Sequence, residues 1–67
     1  MKAVSGKEMC RILERHGWSH VRTRGSHHRF EKLGFPPITI PVHRNETLKT
    51  GLLRSIMQAA GLTADDL

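Results

Sequence analysis

The sequence predicts an α+β fold of order α-β-β-β-α, in which two helices cover one face of a three-stranded antiparallel sheet. Three observations predict it. Apolar residues recur at helical spacing near both ends of the chain, they alternate with polar residues through the middle, and Gly or Pro stands at each change of pattern. At 67 residues there is room for one domain, 1–67. A chain this short buries only about 60% of the surface its unfolded state exposes, so the core must be thin.

The first helix is expected from about Gly6 to His16. Ser5 and Glu8 form a capping box, in which the Ser5 hydroxyl accepts from the Glu8 amide while the Glu8 carboxylate accepts from the Ser5 amide. Val4 and Met9 flank it as a hydrophobic staple. Met9, Ile12, Leu13 and His16 share one face, Gly17 closes the helix in the left-handed conformation, and Trp18 folds back on Leu13 as a core residue. From Ser19 to Val42 the period shortens to two, and the punctuation divides the stretch into three strands. Arg24-Gly25 makes the first turn, with Gly25 taking a positive φ that arginine disfavours. Leu33-Gly34-Phe35-Pro36-Pro37 makes the second. In the third strand Ile38, Ile40 and Val42 share a face, and Pro41 lacks the amide a central strand needs, so this strand belongs at an edge. The second helix is expected from about Leu48 to Ala60, with Leu52, Leu53, Ile56, Met57 and Ala60 as its apolar stripe and Gly61 as its end. Thr63-Ala64-Asp65-Asp66 has the composition of a further helix start.

Charge narrows the function. Eleven Lys and Arg face six Asp and Glu, a formal net charge of +5. Such a balance suits a phosphate-bearing partner or an acidic protein. Three aromatic residues, Trp18, Phe30 and Phe35, are too few for a base-stacking platform, so recognition through backbone and shape fits better. One cysteine, Cys10, excludes an intramolecular disulfide and a four-thiolate zinc site. No apolar run approaches the roughly 20 residues that span a bilayer, and the opening MKAVSGKE lacks the apolar stretch of a signal peptide. The expectation is a cytoplasmic protein with no membrane partner.

The candidate chemistry lies with the histidines. In Gly25-Ser26-His27-His28-Arg29-Phe30 the two imidazoles are neighbours on a strand, so they point to opposite faces. If Phe30 turns toward the helices, His28 joins it as a half-buried residue with one ring nitrogen satisfied by a neighbour. His27 and Arg29 then face outward. His27 reads either as a solvated surface histidine or as an acid-base group, since an imidazole titrates near neutral pH. Arg24, Arg29 and Lys49 supply cations around it, and Pro41-Val42-His43-Arg44 offers a second phosphate contact through His43. RNA brings its own nucleophile, the 2′-hydroxyl, so cleavage needs only a base, a cation and a proton for the leaving oxygen. Metal binding is disfavoured. His27 and His28 diverge, His16, His20 and His43 lie on separate elements, and no CxxC, HxxxH or HExxH spacing is present. Cys10, inside a helix without an evident base, is expected to be a packing residue.

The run from Gly25 to Phe30, then Ile38-Thr39-Ile40-Pro41-Val42-His43 and Thr50-Gly51-Leu52-Leu53-Arg54-Ser55-Ile56, closely resembles the HicA (YcfA-like) toxins of type II toxin-antitoxin systems. Leu13-Glu14-Arg15-His16-Gly17-Trp18 and Ala59-Ala60-Gly61-Leu62-Thr63 fit as well, so the resemblance covers essentially the whole chain. It implies a double-stranded-RNA-binding-domain-like fold and an mRNA interferase, an endoribonuclease that cuts mRNA and arrests translation without a cofactor. It also implies a single histidine in the strand after the first turn, which maps onto His27, with Gly25 and Ser26 positioning it. The partner implied is a HicB-type antitoxin that blocks the active surface and brings operator DNA only through itself. This chain departs from typical members at Leu52, where they carry threonine, and at Trp18, where many carry phenylalanine. The remaining readings are a non-catalytic RNA-binding module of the same fold, and a subunit that folds only on its partner.

Overall fold

The computed structural model describes residues 2–67. Its elements are α1 (Gly6–Arg15), β1 (Ser19–Arg24), β2 (His27–Glu31), β3 (Ile38–Pro41) and α2 (Thr50–Ala60), followed by a 3-10 turn over Ala64–Asp66. This is the expected α-β-β-β-α order. At the start of α1 the capping box is complete, with Ser5 N–H donating to Glu8 Oε1 and Glu8 N–H donating to Ser5 Oγ, each at 3.1 Å. Val4 and Met9, on either side of the cap, are fully buried. At the other end Gly17 has φ +89°, the Trp18 amide donates to the Leu13 carbonyl at 3.0 Å, and Lys32 Nζ donates to the His16 carbonyl at 2.7 Å. Trp18 is buried as expected, against Phe35, and its indole N–H has no acceptor among the described residues.

The strands are antiparallel in the order β1-β2-β3, which puts β3 and Pro41 at an edge. Register divides the sheet into rows. His20, Phe30 and Ile38 form one inner row, and Thr23, His28 and Ile40 form the next. The alternate rows, Arg22-Arg29-Thr39 and Arg24-His27-Pro41, face away from the helices. An irregularity between His20 and Arg22 leaves Val21 as the extra residue of a β-bulge.

One core joins the inner rows to both helices. Phe30, Ile38 and Ile40 from the sheet meet Met9, Ile12 and Leu13 from α1 and Leu53, Ile56, Met57 and Ala60 from α2. Both helices therefore lie on the same side of the sheet, and the other side is open. Two details of α2 differ from the sequence reading. The helix begins at Thr50, because the backbone just before it is extended through Lys49, where Thr47 pairs with Ser5 and the Leu48 amide donates to the Val4 carbonyl at 2.9 Å. Leu52 is 40% exposed, since only the Leu53-Ile56-Met57-Ala60 edge of the stripe meets the core.

The exit of β3 crowds the first turn of α1. A Cβ on Gly6 would collide with the Pro41 carbonyl oxygen and lie 3.2 Å from the Val42 Cα. Alanine within a helix is ordinarily more stable than glycine by roughly 0.5–1 kcal/mol. Here Gly6→Ala is expected to reverse that sign and destabilise by about 1–3 kcal/mol, measured by urea denaturation, because the clash is with rigid backbone.

The caps predict a pH dependence. The Ser5 backbone amide, then the Ser5 hydroxyl, hold the Glu8 carboxyl below its ordinary 4.5, and the Thr63 amide does the same for Asp66 relative to 3.8. A carboxyl whose folded-state pKa is lowered contributes stability above its unfolded value and loses it as pH falls through the folded one. Ser5→Ala is expected to cost about 1 kcal/mol near neutral pH. Glu8→Ala removes the titrating carboxylate itself, so its thermal melts should converge with those of the wild type as the pH is taken below 4.5.

Candidate active site

The site is built on the β1–β2 hairpin. Its loop is two residues, Gly25-Ser26, closing the Arg24–His27 pair. Gly25 has φ +59° and Ser26 does not share the positive region, the pattern of a type II′ turn with glycine first. This is the turn that matches the twist of the flanking strands and sets His27 at the head of β2. The exit of β3 pins the loop in place, as the Val42 amide donates to the Ser26 carbonyl at 2.7 Å and Ser26 Oγ lies 3.4 Å from His43 Nε2.

His27 is exposed on the outer face, with Arg24 opposite it on one side and Pro41 on the other. The adjacent outer row adds Arg22 and Arg29. Arg29 Nε donates to Glu31 Oε2 at 3.0 Å, both side chains being well solvated. Such exposed pairs are worth at most about 1 kcal/mol, so a phosphate can take Arg29 from Glu31 at little cost. Beyond this row the outer face opens into a shallow groove along Val21, Arg29, Glu31 and Phe35.

His28 faces inward and is half buried, but its anchor differs from the expectation. Its ring stacks on His20 at 5.1 Å between centroids with the planes 23° apart. The hydrogen-bonded imidazole is that of His20, whose Nε2 lies 2.8 Å from Thr23 Oγ1 and 3.1 Å from the Arg22 carbonyl oxygen. Thr23 is the direct cross-strand partner of His28, yet its hydroxyl turns back along its own strand. His28 is therefore held by stacking.

With this geometry in hand, a family model of the HicA toxin of bacterial toxin-antitoxin systems matches residues 6–62. The chain belongs to the HicA toxin family. The matched stretch begins at the first residue of α1 and ends just after α2, so it takes in every strand and both α-helices. Comparison with curated proteins finds no match. Membership makes this protein the toxin half of a toxin-antitoxin pair, and an antitoxin is its implied partner.

Of the residues singled out in this HicA chain, Arg24, Gly25, Ser26 and His27 are contiguous through the hairpin, and His43 joins them through Ser26. Arg29 is one row away. Lys49 is not on the outer sheet face. It stands at the N-cap position of α2 without a side-chain capping bond and lines a separate groove of about 250 Å³ at the free edge of β3, together with Pro41, His43, Glu46 and the exposed Leu52. His43 thus stands where the two surfaces meet. Arg22 was not among the cations expected around the site, because alternation alone does not reveal the bulge that turns it outward. The Ser26–His43 contact spans 17 positions and has no local signature. Among the described residues no group of three or more His, Cys, Asp or Glu is placed to hold a metal ion, and no helix is long and apolar enough to cross a membrane. Burial, with a smaller effect of Glu14, pushes the Cys10 thiol up to about 11, which suits packing and not nucleophilic attack.

Proposed function

We propose that this HicA toxin is a metal-independent endoribonuclease that cuts mRNA, with His27 as its acid-base group. The observation that carries the reading is the exposed His27 imidazole standing directly across from Arg24, on a sheet face that also presents Arg22 and Arg29. An RNA backbone lying on that face meets guanidinium groups able to stabilise a phosphorane and an imidazole able to move a proton at neutral pH. Gly25 and Ser26 fix the turn that presents the imidazole, and His43 and Lys49 extend the phosphate-binding surface past the edge of β3. The antitoxin in this reading is a HicB-type protein that covers the outer face and keeps RNA from it.

The test uses the purified chain and a short transcript in the presence of a chelator. Fragments ending in 2′,3′-cyclic phosphate are expected, and cutting should stop when the 2′-hydroxyl at the cleaved position is replaced by hydrogen. Cutting that continues without that hydroxyl means that water attacks. RNA bound but left intact, with affinity falling steeply as salt rises, means a binding module.

A further inference from the structure

We propose that His43 is the second acid-base group of the site, the acid that protonates the leaving 5′-oxygen while His27 removes the 2′ proton. This rests on the endoribonuclease reading and adds a catalytic residue to it. Four features of the chain place His43 there.

Pairing between β2 and β3 ends with His27 opposite Pro41, and the Val42 amide continues it by one bond to the Ser26 carbonyl. Val42 packs against the core, and the exposed His43 follows it just past the end of β3. A phosphodiester laid against the turn would meet both imidazoles, one toward each end of an in-line displacement. Second, Ser26 Oγ holds His43 Nε2 from the turn that presents His27, so one loop orients both rings. Third, the chain bends immediately after His43. Arg44 has φ +55°, unusual for a side chain of its kind, and the Glu46 amide closes the turn on the His43 carbonyl at 3.0 Å. Backbone held in such a conformation is often found where a side chain must be aimed. Fourth, the charged neighbours of the two rings differ. His27 faces Arg24, and the Glu31 carboxylate on its face is bonded to Arg29. His43 shares its groove with the Glu46 carboxylate as well as with Lys49, so the ring assigned as the acid has an acidic neighbour.

The step balances as a transesterification. The 2′-oxygen bonds to phosphorus as its proton passes to His27, the bond from phosphorus to the 5′-oxygen breaks, and the His43 imidazolium gives its proton to that oxygen. One fragment ends in a 2′,3′-cyclic phosphate and the other begins with a 5′-hydroxyl. His27 leaves protonated and His43 neutral, and exchange with water restores both.

A substrate with sulfur in place of the 5′-bridging oxygen separates the two roles, because a thiolate leaves without being protonated. His43→Ala is expected to slow cleavage of ordinary RNA by roughly 10²-fold or more, yet to cut the sulfur substrate at close to the wild-type rate. His27→Ala should be slow on both. His43→Gln, which keeps a hydrogen-bonding side chain near Ser26, should match His43→Ala; wild-type cleavage of ordinary RNA by the glutamine variant would assign His43 to the turn alone. Wild-type rates for His43→Ala on ordinary RNA, or equal losses on both substrates, would overturn the proposal. A wild-type chain that leaves both RNAs intact removes the endoribonuclease reading itself, and this proposal with it.

Discussion

His27→Ala is expected to reduce RNA cleavage by about 10²–10⁴-fold, the range typical of losing a positioned acid-base group. The melting temperature should hardly move. His27 is exposed and makes no side-chain hydrogen bond among the described residues, and substitutions at such positions usually fall within about ±0.5 kcal/mol. That combination, a large loss of rate on an intact fold, separates chemistry from structure. Cleavage assays and a thermal melt of the same preparation measure it. Retained activity in a folded His27→Ala protein would remove the catalytic role and leave His27 as a solvated histidine on a basic face.

Three residues further along the same strand the outcome should invert. Phe30 is 1% exposed and joins the inner row of the sheet to both helices. Truncating such a side chain to alanine costs about 3–5 kcal/mol. A domain of this length has on the order of 3–10 kcal/mol in total, at roughly 0.05–0.15 kcal/mol per residue. Phe30→Ala is therefore expected to remove at least about a third of the folding stability and to lower the urea midpoint sharply, with activity lost only in proportion to the unfolded fraction. Urea denaturation followed by circular dichroism gives the first quantity. A cooperative transition at the wild-type midpoint would mean that the core does not depend on Phe30.

These two neighbours also mark what a reader of the sequence can see. Local chemistry is legible. Ser5 and Glu8 announce the start of α1 because both partners of the cap lie within four residues, Gly25 announces the hairpin because few other residues accept its φ, and Pro41 announces an edge because it has no amide to give. Alternation separates His27 from His28 for the same reason: it is a property of adjacent residues. What stays hidden depends on residues brought together by folding. The start of α2 moves to Thr50 because Thr47 and Leu48 are drawn into extended pairing with Val4 and Ser5, His28 lacks its expected hydrogen bond because Thr23 turns to His20, and Leu52 stays exposed because the core ends short of it. The tie between Ser26 and His43 is hidden in the same way. Half of the candidate site, the hairpin, was therefore visible as sequence, and the half contributed by the exit of β3 as a position without a geometry.

The extra residue at Val21 has a consequence for the sign of the exposed face. A strand is a binary code in which residues read alternately in and out. Starting from His20, which reads in, an uninterrupted count would also bring Arg22 and Arg24 in, and would aim two guanidinium groups at the apolar side of the sheet. The bulge shifts the phase of the count by half a period. After it Arg22 and Arg24 read out, level with Arg29 and His27, and Thr23 reads in. The positive charge beside the histidine is thus encoded by one unpaired position as much as by the arginines themselves, and composition alone would assign those arginines to either side.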